Sequence, residues 1–212
     1  MNTILILIIL VNVAISYKGW NDLSFFRRYE FHVGSIRAGE QIRMLSSGFL
    51  HVDVSHLLFN MLTLYFFAPV VIGFLGTLSF SLVYFGSLLF GSLLTYFFHK
   101  NDYNYRAVGA SGAVTGVLYS AILLQPDMMI GVFFIIPVPA YLFGILYLLY
   151  SVYGIKTQND NIGHTAHFGG AVGGYLITLV KEPLLLVENT LMVILLAIPI
   201  VFLFVLQQRK KM

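Results

Sequence analysis

Long apolar segments separated by short polar ones run along the whole chain. Seven of these segments approach the length of about 20 apolar residues that an α-helix needs to cross a lipid bilayer. The pattern therefore predicts an all-α fold, a polytopic bundle of membrane helices. The predicted spans are Asn2–Tyr17, Val54–Ile72, Leu75–Phe98, Val108–Leu124, Met128–Tyr150, Thr165–Val180 and Thr190–Leu206.

The first and last spans raise separate questions. The first is short enough to be a signal peptide that ends at Ala14-Ile15-Ser16, but it lacks the basic region that begins such peptides. A retained anchor is therefore the prediction. The last span follows the polar step Lys181-Glu182-Pro183, which separates it from the sixth span. The chain is predicted to be a single membrane domain over residues 1–212. Its core covers about residues 1–182, and an appended helix covers about residues 184–208.

The composition has too few charged residues for a soluble globular domain. Of the 212 residues, 58% are hydrophobic and 10% are charged, whereas a soluble domain carries about 25% charged residues. The absence of cysteine excludes disulfide frameworks, thiolate zinc sites and cysteine nucleophiles. The 12 lysine and arginine residues are scattered through loops, which indicates contact with an anionic lipid bilayer rather than with nucleic acid.

Three polar loops share one side of the membrane. Lys18–Arg43, His99–Arg106 and Gly154–Gly163 precede the second, fourth and sixth spans. Because successive spans alternate in direction, these three helices all begin at the same face. The mixture of aromatic residues and arginines in Lys18–Arg43 is typical of a segment that lies in the membrane interface.

A few polar side chains inside the spans mark a candidate site, because ionisable groups in a bilayer are costly and are usually functional. His56 and Asn60 fall in the first two turns of the second span. Ser111 falls in the first turn of the fourth, and His167 in the first turn of the sixth. The four side chains therefore share one depth and can converge on one point.

Ser111 lies in a run of small residues, 107–113, that opens the fourth span. Small residues let another group approach the backbone closely, and a helix N-terminus offers N–H donors to a developing anion. That combination suits a nucleophile. The simpler interpretation is helix–helix packing, since Gly112 and Gly116 form a small-xxx-small pair.

His167 strengthens the chemical interpretation of Ser111. Its helix carries small residues at a spacing of four, beginning at Ala166, so another helix can approach to backbone contact. If the fourth helix does so, the Ser111 hydroxyl comes within hydrogen-bond reach of His167, which can act as its general base. A capping or interfacial role is the alternative for His167, and it fits His164 better because His164 is one turn closer to the loop.

His56 and Asn60 are four residues apart and project from one side of their helix. Both donate hydrogen bonds without a permanent charge, which suits an oxyanion hole. An interhelical polar clamp is the alternative. Asp53 and Asp102 lie in loops or at helix starts, so the sequence predicts a serine–histidine dyad rather than a triad.

These residues resemble the motifs of the rhomboid family. Gly109-Ala110-Ser111-Gly112 resembles its G-x-S-G motif, and the His56…Asn60 pair, preceded by His51, resembles its second-helix H-x-x-x-N element. Ala166-His167-Phe168-Gly169-Gly170 is similar to its sixth-helix A-H-x-x-G element, and Gly39-Glu40-Gln41-Ile42-Arg43 to its G-E-x-W-R segment. The resemblance extends over about residues 35–180, in the family's order.

The resemblance implies an intramembrane serine protease that cuts single-pass membrane proteins, without a metal or another cofactor, in a membrane such as the bacterial inner membrane. It implies that Ser111 is the nucleophile and His167 the general base. His56, Asn60 and the backbone N–H of Ser111 would form the oxyanion hole. The Gly154–Gly163 loop would be a mobile cap over the site. Secondary site positions would be Gly109, Ala110, Gly112 and His51.

Two positions depart from the family pattern. Ile42 stands where a tryptophan commonly precedes the arginine. Thr115 stands four residues after the nucleophile, where an aromatic residue often stacks on the catalytic histidine. These departures bear on how the first loop is anchored and on how His167 is held.

Two other functions fit part of the pattern. A catalytically inactive relative would only bind membrane helices. A divalent metal transporter would use histidine and carboxylate ligands, which suit such ions, although it leaves Ser111 and Asn60 unexplained. The transporter's candidate ligands are His51, Asp53, His56, His164 and His167.

The distribution of charges conflicts with the membrane orientation that the family topology implies. The family topology places the N-terminus in the cytoplasm and the site loops outside. Most of the lysines and arginines would then lie outside, whereas the positive-inside rule favours the reverse. The family orientation is the prediction.

Overall fold

The computed structural model describes residues 2–132, 135–157 and 162–209. Within these ranges the chain is a bundle of membrane helices, which confirms the predicted fold class. The helices are α1 Thr3–Asn21, α2 Leu23–Tyr29, α3 Val33–Arg37, α4 Arg43–Ser46, α5 Val54–His99, α6 Ser111–Leu124, α7 Ala140–Thr157, α8 His164–Lys181, α9 Leu185–Glu188 and α10 Thr190–Arg209. Two antiparallel ladders join β1 Phe31–His32 to β2 Arg106–Ala107 and β3 Met129–Val132 to β4 Ile136–Pro139.

The outside of the bundle is apolar. By length and composition, three helices in the described ranges can cross a bilayer, namely α1, α5 and α7. Shorter apolar helical segments are Ser111–Leu124, which is α6, and Thr190–Leu206 within α10. Large side chains such as those of Leu7, Phe59 and Leu78 are exposed on the helices. A continuous surface of this kind is unstable in water, so it faces lipid, and the chain is an integral membrane protein.

Helix α5 contains two of the predicted spans. Its first turn is capped by Asp53, whose carboxylate accepts a hydrogen bond of 2.7 Å from the backbone N–H of His56. Gly76 interrupts the helix with φ 80° and ψ 167°, a conformation that glycine adopts without strain. Residues 54–75 and 77–99 are therefore separate helices, and the break lies close to the predicted boundary between Ile72 and Leu75.

The prediction for the fifth span, Met128–Tyr150, is wrong at its start. The β3–β4 hairpin occupies most of residues 129–139, and α7 begins only at Ala140. Pro137 and Pro139 lack backbone N–H groups and clash with the preceding helical turn, so two prolines this close together disfavour a helix in this apolar run. At its other end α7 continues to Thr157, which shortens the predicted Gly154–Gly163 loop, and residues 158–161 of that loop lie outside the described ranges.

The first loop is folded rather than extended. Helix α1 continues past the predicted end to Asn21, and Asp22 then caps α2 by accepting a hydrogen bond of 2.9 Å from Phe25 N–H. The ladder between β1 and β2 joins this loop to the segment just before Ser111. The interfacial loop and the candidate site are therefore one connected structure.

Helix α8 packs through its backbone against α5. A methyl group at Gly91 of α5 would lie 2.7 Å from the carbonyl oxygen of Ala166, and one at Gly169 would lie 2.7 Å from that of Phe90. Backbone contacts this close leave no room for any side chain. His167 therefore projects from a helix whose position is set by main-chain contact.

Candidate active site

One cavity collects the predicted site residues. It has a volume of about 1130 Å³ and is bordered by the first half of α5, by α6, by α7 and by the start of α8. His51 and Ala110 lie behind its wall and are fully buried. The predicted residues on the wall are His56, Asn60, Gly109, Ser111, Gly112 and His167.

Gly109 is required in the turn that leads to Ser111. Its φ is +127°, a region that side chains with a Cβ rarely adopt. A methyl group there would also lie 2.6 Å from Cε1 of His56. Its N–H donates a hydrogen bond of 3.0 Å to the carbonyl oxygen of Ser47. The turn places Ser111 at the first position of α6.

His51 supports this turn from behind. Its Nε2 accepts a hydrogen bond of 3.3 Å from the Ala110 N–H, and its Nδ1 lies 2.9 Å from the hydroxyl of Ser16 on α1. The Trp20 indole also donates to the His51 carbonyl oxygen, at 2.7 Å. Burial, and next the neighbouring His56, lower the pKa of His51 to about 3. His51 is therefore a neutral link between α1 and the turn before Ser111.

The helices that carry Ser111 and His167 touch through glycine. A methyl group at Gly112 would lie 3.2 Å from the Ala166 carbonyl oxygen, and one at Gly170 would overlap the Gly112 carbonyl oxygen. The predicted smooth face of α8 is thus the face that meets α6. We call this contact the α6–α8 seam, formed by Gly112, Gly116, Ala166, Gly170 and Gly174.

Ser111 and His167 lie next to the seam, and both are partly accessible on the cavity wall. Among the residues that the structure describes, the Ser111 hydroxyl has no hydrogen-bond partner, His167 included. Catalytic hydrogen bonds are often long before substrate binds. The structure therefore brings the two side chains to one cavity and leaves the serine hydroxyl available there.

A tyrosine that sequence reasoning missed contacts His167. The Tyr147 hydroxyl of α7 lies 2.9 Å from Nδ1 of His167, and the two rings stack at 5.9 Å with an interplanar angle of 22°. The same hydroxyl lies 3.3 Å from Oγ1 of Thr115. A phenol within a predicted span was the available signal, but tyrosine is common in this chain, which has 13.

His56 and Asn60 lie on the part of the cavity wall that α5 forms. One N–H of the Asn60 amide donates to the His56 carbonyl oxygen at 2.9 Å, and the amide group carries a second N–H. The His56 ring packs edge-on against that of His51 at 4.9 Å. Both side chains reach the cavity that Ser111 faces, where they can donate to an anion.

His164 does not line the cavity. It is buried, and its ring packs edge-on against Tyr150 at 5.1 Å and against His167 at 6.3 Å. A methyl group at Gly154 would overlap its imidazole. His164 therefore joins α7 to the start of α8.

An ion-pair cluster ties the first loop to the site. Glu30 has a side chain only 3% exposed and pairs with Arg106 of β2 and with Arg27, the latter at 3.2 Å. Arg43 donates to the Glu30 carbonyl oxygen at 3.1 Å and to the Glu40 carboxylate at 2.5 Å. These contacts anchor the loop although Ile42, in the tryptophan position, is exposed.

The predicted metal ligands do not form a metal site in the described part of the chain. No group of three or more histidine, aspartate or glutamate side chains there is arranged to hold an ion. Both ring nitrogens of His51 already contact protein atoms, and Asp53 caps α5. Nothing in this geometry favours the transporter.

Comparison with known proteins identifies relatives. The Rhomboid domain model matches residues 38–183. The putative rhomboid protease YdcA of Bacillus subtilis is 34% identical over 142 residues, which are 66% of this chain and 67% of that protein. RHOMBOID-like protein 12, mitochondrial, of Arabidopsis thaliana is 27% identical over 174 residues, 75% of this chain but only 52% of that protein. The rhomboid protease GluP of B. subtilis is 29% identical over 140 residues, 66% of this chain and 26% of that protein.

Proposed function

Because the chain belongs to the rhomboid family, we propose that it is an intramembrane serine endopeptidase acting through a Ser111–His167 dyad. The observation that carries the proposal is the meeting of Ser111, His167, His56 and Asn60 on one cavity. A nucleophile, a base and two neutral donors are the groups that peptide-bond hydrolysis needs.

The first half of the reaction forms an acyl-enzyme. Ser111 Oγ attacks the carbonyl carbon of the scissile bond while His167 takes the hydroxyl proton. The carbonyl oxygen becomes an oxyanion, which accepts hydrogen bonds from His56, Asn60 and the Ser111 N–H at the start of α6. The intermediate collapses, the C–N bond breaks, and the leaving amine takes the proton from His167.

Water completes the cycle. His167 removes a proton from a water molecule, whose oxygen attacks the ester carbonyl carbon. The second tetrahedral intermediate is stabilised by the same donors. It collapses to a carboxylic acid as the Ser111 oxygen recovers its proton from His167. The net reaction is hydrolysis of one peptide bond, with the enzyme regenerated and no cofactor consumed.

The substrates follow from the position of the cavity. Its lining is largely apolar and includes residues of α5 and α7, which are long and apolar enough to cross a bilayer. We infer that the substrates are single-pass membrane proteins, cut within or near their spans. The bacterial inner membrane is the proposed location, and the mitochondrial relatives make an organelle membrane the alternative.

A serine-reactive probe tests the function. Detergent-solubilised wild type, Ser111→Ala and His167→Ala are incubated with a fluorophosphonate probe and with a membrane-protein substrate. We expect labelling and cleavage by wild type only, with each variant reduced at least about 1000-fold in cleavage. Equal labelling of wild type and Ser111→Ala would refute the protease. Absence of both labelling and cleavage in folded wild type would favour an inactive relative.

A further inference from the structure

We propose that Tyr147 is the positioning residue for His167. This inference rests on the proposed function. An imidazole that acts as a base through one nitrogen must carry its hydrogen on the other, and a partner at that second nitrogen selects the tautomer and fixes the ring. The Tyr147 hydroxyl, 2.9 Å from Nδ1 of His167, is such a partner.

Stacking adds a second restraint on the His167 ring. Phe143, one turn earlier on α7, stacks on Tyr147 at 5.9 Å and 15°, and Tyr147 stacks on His167 at 5.9 Å and 22°. The three rings form a near-parallel column along the cavity wall. The hydrogen bond limits rotation of the imidazole in its own plane, and the stacked phenol limits tilting out of it.

Thr115 determines the direction of the hydrogen bonds. Its hydroxyl lies 3.3 Å from the Tyr147 oxygen, so the phenol proton can point toward Thr115. The Tyr147 oxygen is then free to accept the Nδ1 proton of His167. This arrangement leaves a lone pair on Nε2, the nitrogen needed to deprotonate Ser111.

The small side chain of Thr115 also leaves room for Tyr147. Thr115 is only 3% exposed and lies one turn after Ser111 on α6. A large side chain at this position would occupy the space that the Tyr147 phenol uses. The phenol carries no charge at neutral pH, so Tyr147 is a neutral partner for the imidazole.

The test removes the hydroxyl and keeps the ring. Tyr147→Phe is compared with wild type, with Ser111→Ala, and with Tyr153→Phe, a control on the exposed face of α7. We expect Tyr147→Phe to lower kcat about tenfold while KM stays within about twofold, since the hydroxyl acts on the base and not on substrate binding. Tyr153→Phe should match wild type, and thermal melts should agree for all four proteins.

A double variant separates positioning from packing. Thr115→Val keeps the side-chain volume and removes the hydroxyl; we expect it to lower kcat about threefold. In the Tyr147→Phe background it should have no further effect, because both changes break one chain of hydrogen bonds. Multiplicative losses, or a Tyr147→Phe variant that differs from wild type only in KM, would overturn the positioning role.

The outcomes for the two proposals differ. Equal probe labelling of wild type and Ser111→Ala would overturn the protease, and the role of Tyr147 with it. Ser111-dependent labelling together with wild-type kcat in Tyr147→Phe would overturn the role of Tyr147 alone.

Discussion

Nε2 of His51 accepts a hydrogen bond from the backbone N–H of Ala110, the residue directly before Ser111. The other ring nitrogen lies 2.9 Å from Ser16 Oγ, and Ser16 in turn donates to the Phe49 carbonyl oxygen at 3.0 Å. The Ala110 N–H is therefore engaged by the protein. His51 holds the turn in place from a buried position, where it cannot reach a substrate.

Acid should weaken the fold through His51. Its folded pKa of about 3 lies below the value of about 6.5 in an unfolded chain. Between these values the unfolded chain binds the extra proton, so stability should fall as the pH drops below about 6.5. His51→Gln keeps an acceptor for Ala110 and removes the titration. Melting temperatures between pH 7.5 and 4.5 should fall less steeply for His51→Gln, and parallel curves would contradict this account.

Gly109→Ala should nearly abolish activity. The strained φ alone costs about 1–3 kcal/mol, and the added methyl group displaces the His56 ring. Such a displacement can lower the rate about 100-fold. Gly39→Ala is the matched control, because Gly39 also has a positive φ, +106°, but has open space around it. Cleavage rates and thermal melts should distinguish Gly109→Ala from Gly39→Ala. Similar cleavage rates for the two variants would contradict the expectation that the contact between residue 109 and the His56 ring affects activity.

Gly170→Ala should damage the α6–α8 seam. Its methyl group would overlap the Gly112 carbonyl oxygen, and backbone cannot yield as a flexible side chain can. We expect a loss of about 3 kcal/mol in stability, together with lost activity, in denaturation and cleavage assays. Gly73→Ala, in a helix with open space, should be neutral. A stable, active Gly170→Ala would show that the helices can separate without consequence.

Arg106→Gln should loosen the first loop. Of its partners in the described ranges, the almost fully buried Glu30 carboxylate would then keep Arg27 alone. We expect a loss of about 2 kcal/mol. Glu30→Gln combined with Arg106→Gln should lose less than the sum of the single variants, because no buried carboxylate is left without its Arg106 partner and Arg27 is exposed to solvent. Additive losses in chemical denaturation would mean that the pair does not interact.

The two termini should lie on opposite faces, with the N-terminus in the cytoplasm. Seven spans require opposite faces, and several arginines on the site side are engaged: Arg27 and Arg106 pair with Glu30, and Arg43 pairs with Glu40. We expect these paired arginines to weigh less in orientation than free ones. Accessibility of terminal tags in intact cells measures this, and an exposed N-terminus would reverse the topology.

Much of the candidate site could be predicted from local sequence. Ser111 lies at a helix start, and the small residues around Ala166 lie on one other segment. Each of these two features can be predicted from helical spacing within its own segment. The start of α7 could not be predicted in the same way, because a short apolar run is compatible with a β-strand as well as with an α-helix. The two prolines in it were the overlooked signal. The contact between Tyr147 and His167 joins α7 to α8, and no pattern within either segment specifies how closely they approach.

The α6–α8 seam is made of main-chain atoms. The spacing between the serine and histidine helices is therefore independent of side-chain size at nearly every surrounding position. Lipid-facing residues can be exchanged to suit a thicker, thinner or more fluid bilayer without moving Ser111 and His167 apart. A saturation mutagenesis scan should accordingly find a few glycine positions that tolerate no substitution, within helices that tolerate most substitutions. The site and the lipid-facing surface can therefore evolve separately.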